Sequence, residues 1–266
     1  MRQKLILAGI LLALLGPLAS AQGTFNDLEQ NFGGRIGLTL DKKLAKGLHL
    51  SIDGEARFSD NFQTFGRYQA GIDLSYKINP TFKVGGGYIF IEKLTNSTKV
   101  WKPRHRFYLD GTATLHAGDW RFSLKERLQL THRDVNNPYQ NNPNSLALKS
   151  RLKAAYKGFL HVEPYAYAEL RNVFNDPRCS ATWNTVSQSY SDYDFLGYSD
   201  AYANRLRGAL GLEYKVNRQH SFDFYVLTDY CRDKNIDTNA EGTKLKSLTY
   251  DQAFNVNLGI AYKFKF

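Results

Sequence analysis

The feature that most constrains the fold is an alternation of apolar and polar residues with a period of two. It is clearest at the C-terminus, where residues 254–266 carry apolar side chains on one parity and small or polar side chains on the other. The apolar parity consists of Phe254, Val256, Leu258, Ile260, Tyr262, Phe264 and Phe266. A strand with lipid on one face and water on the other has this pattern, so the segment predicts the wall of a membrane β-barrel.

Further strand segments follow one another along the chain, with connections that alternate in length. The segments are 34–41, 48–58, 67–78, 82–91, 104–115, 120–131, 146–156, 161–171, 205–216 and 221–230. Short links near 42–47, 79–81, 117–119, 157–159 and 217–219 alternate with long polar links near 59–66, 92–103, 132–145, 172–204 and 231–249. A soluble β-sandwich has no reason to segregate its loops in this way. We therefore predict an all-β fold, a transmembrane antiparallel up-and-down β-barrel with short periplasmic turns and long extracellular loops.

The parity of the turns constrains the number of strands. If the chain ends in the periplasm at Phe266, segment 34–41 is the eleventh strand counted from the end. Because single-chain bacterial barrels have even strand numbers, residues 22–32 are expected to add a twelfth strand. The alternative is ten strands, with 34–41 outside the wall. Two residues depart from the pattern, Glu126 on the apolar parity and Pro164, which cannot donate to a ladder, within a strand. A charge that faces lipid is tolerable near the membrane edge, and the alternative is a β-bulge near either residue that flips the parity.

The N-terminus has the layout of a secretory signal. Arg2 and Lys4 precede an apolar run from Leu5 to Leu15, and Ala19-Ser20-Ala21 supplies the small residues of a cleavage site. We predict a signal peptide at 1–21 and a barrel domain at 22–266, in the outer membrane of a Gram-negative-type cell. The expected partners there are outer-membrane lipid and the barrel assembly machinery. Export argues against nucleic acid as the partner of a chain with a formal charge of +10.

Several local motifs resemble those of known barrels. The ending Lys263-Phe264-Lys265-Phe266 resembles the terminal assembly signal of outer-membrane barrels, which makes Phe266 its expected key residue. The motifs that resemble an uncharacterised outer-membrane barrel family, domain of unknown function 2490, are Arg104-His105-Arg106, the Arg127 strand and Pro164-Tyr165 with Glu169. This resemblance implies a barrel but no established activity. The chain is also similar to acidic-oligosaccharide porins in size, expected strand number and basic lumen.

The most informative functional feature is a basic stripe on the inner parity of three consecutive strands. Its members are Arg104, Arg106, Arg121, Lys125, Arg127, Lys149, Arg151 and Lys153. Asp110 is the one acid on the same parity of these strands, and other acids lie on the flanking strands. One interpretation is a wet lumen that guides small anionic solutes, as a passive pore or solute-binding channel. The other is a closed lumen filled by Arg–Glu networks.

The sequence shows no recognisable catalytic or metal centre. The six histidines lack metal-ligand spacing to one another or to cysteine, and no nucleophile elbow or phosphate loop is present. The single His-Ser dipeptide, His220-Ser221, falls at the short-turn end, the wrong end for lipid A chemistry. We expect no cofactor, no metal and no catalytic residue. An enzyme that acts on lipid or on an external peptide, with His132 and Asp134 at the rim, remains the alternative.

Two further features concern the long connections. Cys179 lies in the link 172–204, and Cys231 directly follows segment 221–230, with segment 205–216 between them. An oxidising compartment favours a disulfide between the two cysteines. The same link is rich in tyrosine and serine, as recognition surfaces often are. A structural or adhesive barrel with a closed lumen is therefore a third hypothesis.

Overall fold

A computed structural model describes residues 24–95 and 98–266. The predicted signal peptide, residues 1–21, lies outside the described residues. Eleven strands make up the described chain: β1 (Thr24–Ala45), β2 (Leu48–Ser59), β3 (Thr64–Lys77), β4 (Phe82–Thr95), β5 (Val100–Ala117), β6 (Trp120–Arg133), β7 (Asn144–Tyr156), β8 (Val162–Asn184), β9 (Ser189–Lys215), β10 (His220–Thr238) and β11 (Leu245–Lys265). Within this part of the chain no helix is long and apolar enough to cross a membrane.

The strands form one closed barrel, which confirms the predicted all-β barrel fold. Sequential neighbours pair antiparallel, but β1 closes the barrel against β11 in parallel, with Gly34 opposite Leu258. The described residues hold eleven strands instead of twelve or ten, because 24–32 and 34–41 form the single strand β1. With an odd number of alternating strands the first and last run the same way, so the closing pair is necessarily parallel.

The two ends of the barrel differ. At one end the connections β1–β2, β3–β4, β5–β6, β7–β8 and β9–β10 have two to five residues, as predicted. At the other end most of the predicted long links are strand residues instead of irregular loops. The link 172–204 is an extended β8–β9 ribbon, in which the two strands pair with several register shifts as far as Asn184 opposite Ser189. The connection 134–143, between β6 and β7, is the longest irregular one in the described residues.

The wall separates an apolar exterior from a polar interior. On β5 Phe107 and Leu109 are 54% and 70% exposed, whereas the alternate residues Tyr108 and Asp110 are 7% and 6% exposed. This alternation places the predicted inner parity inside the barrel. Aromatic side chains gather on the exterior near both ends, including Trp101 with Phe65 at one end and Trp120 with Tyr156 at the other.

Inward tyrosines pack on glycines of the neighbouring strand. Tyr225 faces Gly259 across β10 and β11, and Tyr165 faces Gly211 across β8 and β9. A Cβ atom on Gly259 would lie 2.0 Å from the Tyr225 ring, and one on Gly211 would lie 2.3 Å from the Tyr165 ring. These glycines are therefore required for close packing of the interior rings.

Neither Glu126 nor Pro164 marks a β-bulge. The β5–β6 and β6–β7 registers run unbroken past Glu126, whose carboxylate accepts a 2.6 Å hydrogen bond from Ser150 Oγ on the exterior face. Pro164 keeps its place opposite Leu212 and lies within three residues of the start of β8, where a missing N–H is tolerated. The hydrogen bond from Ser150 thus accommodates Glu126, and a position near the start of β8 accommodates Pro164.

Candidate functional site in the barrel lumen

Four cations lie side by side across neighbouring strands of one wall. Arg127 on β6 pairs with Lys149 on β7, which pairs with Arg171 on β8 and then with Arg205 on β9. We call this row the first arc. Like charges directly opposite one another destabilise a sheet, so the row is not a by-product of strand pairing.

A second row of the same kind crosses β1 to β4. Arg35 pairs with Arg57, Arg57 with Arg67, and Arg67 with Lys93, all on the inner parity. We call this row the second arc. The two arcs occupy different parts of the wall, and both direct cations into the same lumen.

Arg106 on β5 lies between the two arcs. It is close enough to Arg57 of the second arc and to Arg171 and Arg205 of the first arc for all three charges to repel it. Its Nε donates a 3.0 Å hydrogen bond to Thr131 Oγ1, which holds the guanidinium in the lumen. The lumen therefore has a strongly positive zone at this level.

Half of the predicted basic stripe is paired with acids. Asp110 binds both Lys125 at 2.9 Å and Arg127 at 2.6 Å, and its side chain is almost fully buried. Glu169 accepts two hydrogen bonds from Arg151, at 2.5 and 2.9 Å. Arg121 pairs with Glu163. Arg127, Lys125 and Arg151 thereby hold neighbouring strands together, and Arg121 reaches past β7 to β8.

The other half of the stripe has no acid partner. Among the residues described, Arg104, Arg106, Lys149 and Lys153 make no salt bridge. Lys153 instead places its ammonium 3.6 Å from the centre of the Tyr165 ring, a cation–π contact. The stripe thus combines wall-building ion pairs with cations that are free to attract anions.

The sequence interpretation missed several inward cations outside the three stripe strands. Arg207 holds Asp229 with bonds of 2.5 and 2.8 Å, and Arg35 approaches the same carboxylate at 3.3 Å. Both arginines sit on the inner parity of segments that the sequence does identify. The same parity rule, extended from three strands to all of them, would have placed every arc member inside the barrel except Lys93, which falls in the predicted link 92–103.

Two larger cavities lie along the lumen in the described part of the chain. The outer cavity, at the end with the long ribbons, has a volume of about 370 Å³ and is lined by Lys93, Arg104, Arg106, Arg171 and polar side chains. The inner cavity, towards the short turns, has a volume of about 470 Å³. Its walls differ in charge. One wall bears Asp53, Glu55 and Asp73 on β2 and β3, and the opposite wall bears Lys125, Arg127 and Arg151 on β6 and β7.

The outer rim is shaped by the β8–β9 and β10–β11 ribbons. Lys234 on β10 reaches across to β8, where its Nζ donates to Pro177 O at 2.5 Å and approaches Asp176 at 3.9 Å. Burial raises the pKa of Asp176, and the Lys234 charge opposes that rise. Tyr202 Oη donates to the same carboxylate at 3.1 Å. The rim is therefore tied together by contacts between the ribbons.

The predicted disulfide is absent from the structure. Cys179 lies on the β8–β9 ribbon opposite Phe195, and Cys231 lies on β10 opposite Arg205, both as free thiols. Strand β9 runs between the two cysteine strands, and Cys179 lies eight residues further along β8 than Arg171, the residue level with Cys231. The ribbon pairing keeps Cys179 on its own strand and does not bring it to β10.

The C-terminal residue is fixed at the seam between β1 and β11. The Phe266 amide donates to Asp41 O at 3.0 Å, and the Lys43 amide donates to Phe266 O at 3.2 Å. Lys42 places its ammonium 5.1 Å from the centre of the Phe266 ring. The assembly role of Phe266 stays a prediction, but its backbone already serves barrel closure.

The residues considered for catalysis do not form a centre. His220 Nδ1 lies 2.5 Å from Tyr262 Oη, whereas the Ser221 side chain is buried in the wall. His132 is hydrogen-bonded to Asn144 at 2.8 Å. No group of three or more His, Cys, Asp or Glu suited to a metal ion occurs in the described residues.

Comparison with known proteins gives one family and several distant structures. Curated protein sequences give no match. The structure of the NanC porin is 11% identical, with a TM-score of 0.40, and the match covers 88% of this chain and 99% of that one. Outer-membrane expressed OmpT of Vibrio cholerae is 14% identical, with a TM-score of 0.35 and coverage of 82% of this chain. This chain spans 64% of that OmpT chain.

The resemblance expected from Arg104-His105-Arg106, Arg127 and the Pro164 strand is confirmed by the family match. Residues 36–240, which include both arcs except Arg35, match the family described as "Protein of unknown function (DUF2490)". The match spans most of the chain and nearly all of the wall, from within β1 to the end of β10. The chain therefore belongs to the DUF2490 family.

Proposed function

We propose that this protein is an outer-membrane barrel that binds small anions in its lumen and lets them pass. The observation that carries the proposal is the pair of arcs. In each arc, cations on four consecutive strands lie opposite one another. Acids hold four of the eight arc cations: Arg35, Arg57, Arg127 and Arg205. The repulsion that remains along the rows is costly to a sheet, and a passing anion offsets it.

The exterior supports the membrane location. Large apolar side chains are exposed on every strand of the wall, with Leu210 at 69% and Ile72 at 47%. A soluble monomer rarely exposes contiguous apolar surface of this extent, whereas a barrel in lipid requires it. Aromatic side chains near both ends match the two interfacial girdles of membrane barrels.

The charge balance along the lumen supports anions as the solutes. In the outer cavity Lys93, Arg104 and Arg171 have no ion pair among the described residues. In the inner cavity the cations are held by acids or face them. An anion that enters from the outer end would thus meet a net positive zone first and a balanced zone second, which favours capture followed by release.

A flux measurement tests the proposal. Purified protein is folded into liposomes, and entry of a small organic anion is compared with entry of a cation of similar size. We expect faster entry of the anion, and a reduced preference in Arg106→Gln. Arg218→Gln removes the same charge at an exposed short turn and serves as the control, with no expected change. Equal entry of both ions through folded protein would contradict the proposal.

A closed structural barrel is the second candidate. The ion pairs of Asp110, Glu163, Glu169 and Asp229 favour it, because they fill part of the lumen with paired side chains. Absence of any flux through correctly folded protein would favour this second function over the first.

A further inference from the structure

The outer cavity gathers more cations than the carboxylates that line it can neutralise. Lys93, Arg104, Arg106 and Arg171 come from β4, β5 and β8 and line one space of about 370 Å³. In the part of the chain that the structure describes, none of the four makes a salt bridge. Arg104 also lies directly opposite Arg133 on β6, so these two like charges face each other.

The guanidinium groups are held in place without an anion. Arg104 Nε is buried and has no hydrogen-bond acceptor, although a buried charged donor without a partner is costly. Arg106 is oriented through its Nε bond to Thr131 at 3.0 Å, so its terminal nitrogens are left for another acceptor. These features describe a preformed cradle whose acceptor comes from outside the chain.

The acids in the same cavity have other partners as well. Asp233 accepts a 2.7 Å hydrogen bond from Asn204, and Asp251 accepts a 2.6 Å hydrogen bond from Asn26. Asp176 faces Lys234 and Tyr202 at the rim. These bonds leave the carboxylates charged, but the lining has six Lys and Arg against three Asp, so the cavity keeps a net positive charge.

We infer that the outer cavity is a binding site for a soluble oxyanion that carries two or more negative charges, such as phosphate or a small dicarboxylate. Guanidinium forks match pairs of oxygens on phosphate and carboxylate, and three forks with one ammonium exceed the charge of a single monoanion. Because the cavity lies inside the wall, the ligand is a dissolved ion and not a lipid headgroup. The inference deepens the proposed function, since it names the class of anion that the lumen would bind.

Isothermal titration calorimetry of the folded full-length protein in detergent, with inorganic phosphate in a low-chloride buffer, tests the site. We expect saturable binding to the wild type, weakened about tenfold or more in Arg104→Gln and Arg171→Gln. Arg104→Lys retains the charge but loses the guanidinium fork, so its phosphate affinity should lie between those of the wild type and Arg104→Gln. Arg218→Gln is the matched control and should bind like the wild type. Succinate, a dicarboxylate, should compete with phosphate.

Two results would overturn the inference: no phosphate binding by folded wild type, or equal binding by wild type and the Arg104 and Arg171 variants. Circular dichroism identifies any variant that fails to fold, and Arg104→Lys then takes its place. Phosphate binding without ion flux would support the site and contradict the pore. Anion flux without phosphate binding would contradict the site and leave the pore intact.

Discussion

Arg171 on β8 lies directly opposite Arg205 on β9, and it also faces Lys149 on β7, so one guanidinium has a cation on each side. Arg205 approaches Glu169 at 3.7 Å, whereas Arg171 makes no salt bridge with a described residue. A position of this kind lowers the stability of the sheet and raises its affinity for anions.

Replacement of Arg171 should stabilise the barrel when no multivalent anion is present. Arg171→Gln removes two like-charge cross-strand contacts, each worth a few tenths of a kcal/mol to about 1 kcal/mol. We expect unfolding at low salt to have its midpoint at a higher urea concentration than in the wild type. Tryptophan fluorescence monitors the unfolding. Arg151→Gln is the matched comparison. Because Arg151 holds Glu169 at 2.5 Å, its loss should lower the midpoint. A lower midpoint for both variants would contradict this account.

Asp110 should matter more to stability than any of the cations that it holds. Asp110→Asn leaves both Lys125 and Arg127 without their carboxylate, and these partners are 31% and 23% exposed. Because water reaches the two cations in part, we expect a loss of about 1–3 kcal/mol in the free energy of unfolding. The measurement is equilibrium unfolding in urea. Asp134→Asn, in the β6–β7 connection, is the control and should change stability little.

The interior tyrosine–glycine pairs should be sensitive to a single methyl group. Gly259→Ala would place a Cβ 2.0 Å from the Tyr225 ring, and the ring is held between neighbouring strands. We expect reduced yield of folded barrel and a lower thermal midpoint. Gly54→Ala is the control, because nothing lies within 4 Å of a Cβ built there. Equal yields of the two variants would show that the ring moves aside without cost.

The state of the cysteines can be read from thiol chemistry. Both should react with a maleimide in denatured, unreduced protein, because the structure has them as free thiols. In the folded protein burial raises the pKa of Cys179, so less of its reactive thiolate is present at a given pH below that pKa. Its alkylation in a Cys231→Ser background should therefore be slower than that of an exposed thiol near pH 8, and should accelerate as the pH rises. Protection of both cysteines from labelling after denaturation would indicate a disulfide.

Much of the wall could be predicted from the sequence because a strand's inner and outer parities are fixed by a period of two. The exposed Leu109 and the buried Asp110 follow that rule without knowledge of any neighbour. The strand number could not be predicted in this way. Residues 24–32 lack a clear apolar face, so nothing local shows that they continue the strand that contains Gly34.

The sequence also could not show which residues of the basic stripe are paired with acids and which are not. Whether Arg127 is paired and Arg104 is not depends on register, since Arg127 lies opposite Asp110 and Arg104 lies opposite Arg133. Likewise, the Tyr-rich segment 172–204 has the composition of a loop and becomes a ribbon only through pairing of β8 with β9. Parity predicts which face a residue occupies, and register decides which residue it meets.

The central claim is that unpaired cations in the lumen select anions, and the zero-current potential across a planar bilayer tests it most directly. Under a tenfold potassium chloride gradient at low ionic strength, the zero-current potential of folded wild-type protein should have the sign of anion selectivity. This selectivity should weaken as salt is added. Arg104→Glu with Arg106→Glu should abolish or reverse it, while Arg218→Glu leaves it unchanged. Cation selectivity in the wild type, or the same anion selectivity in the double variant, would contradict the account.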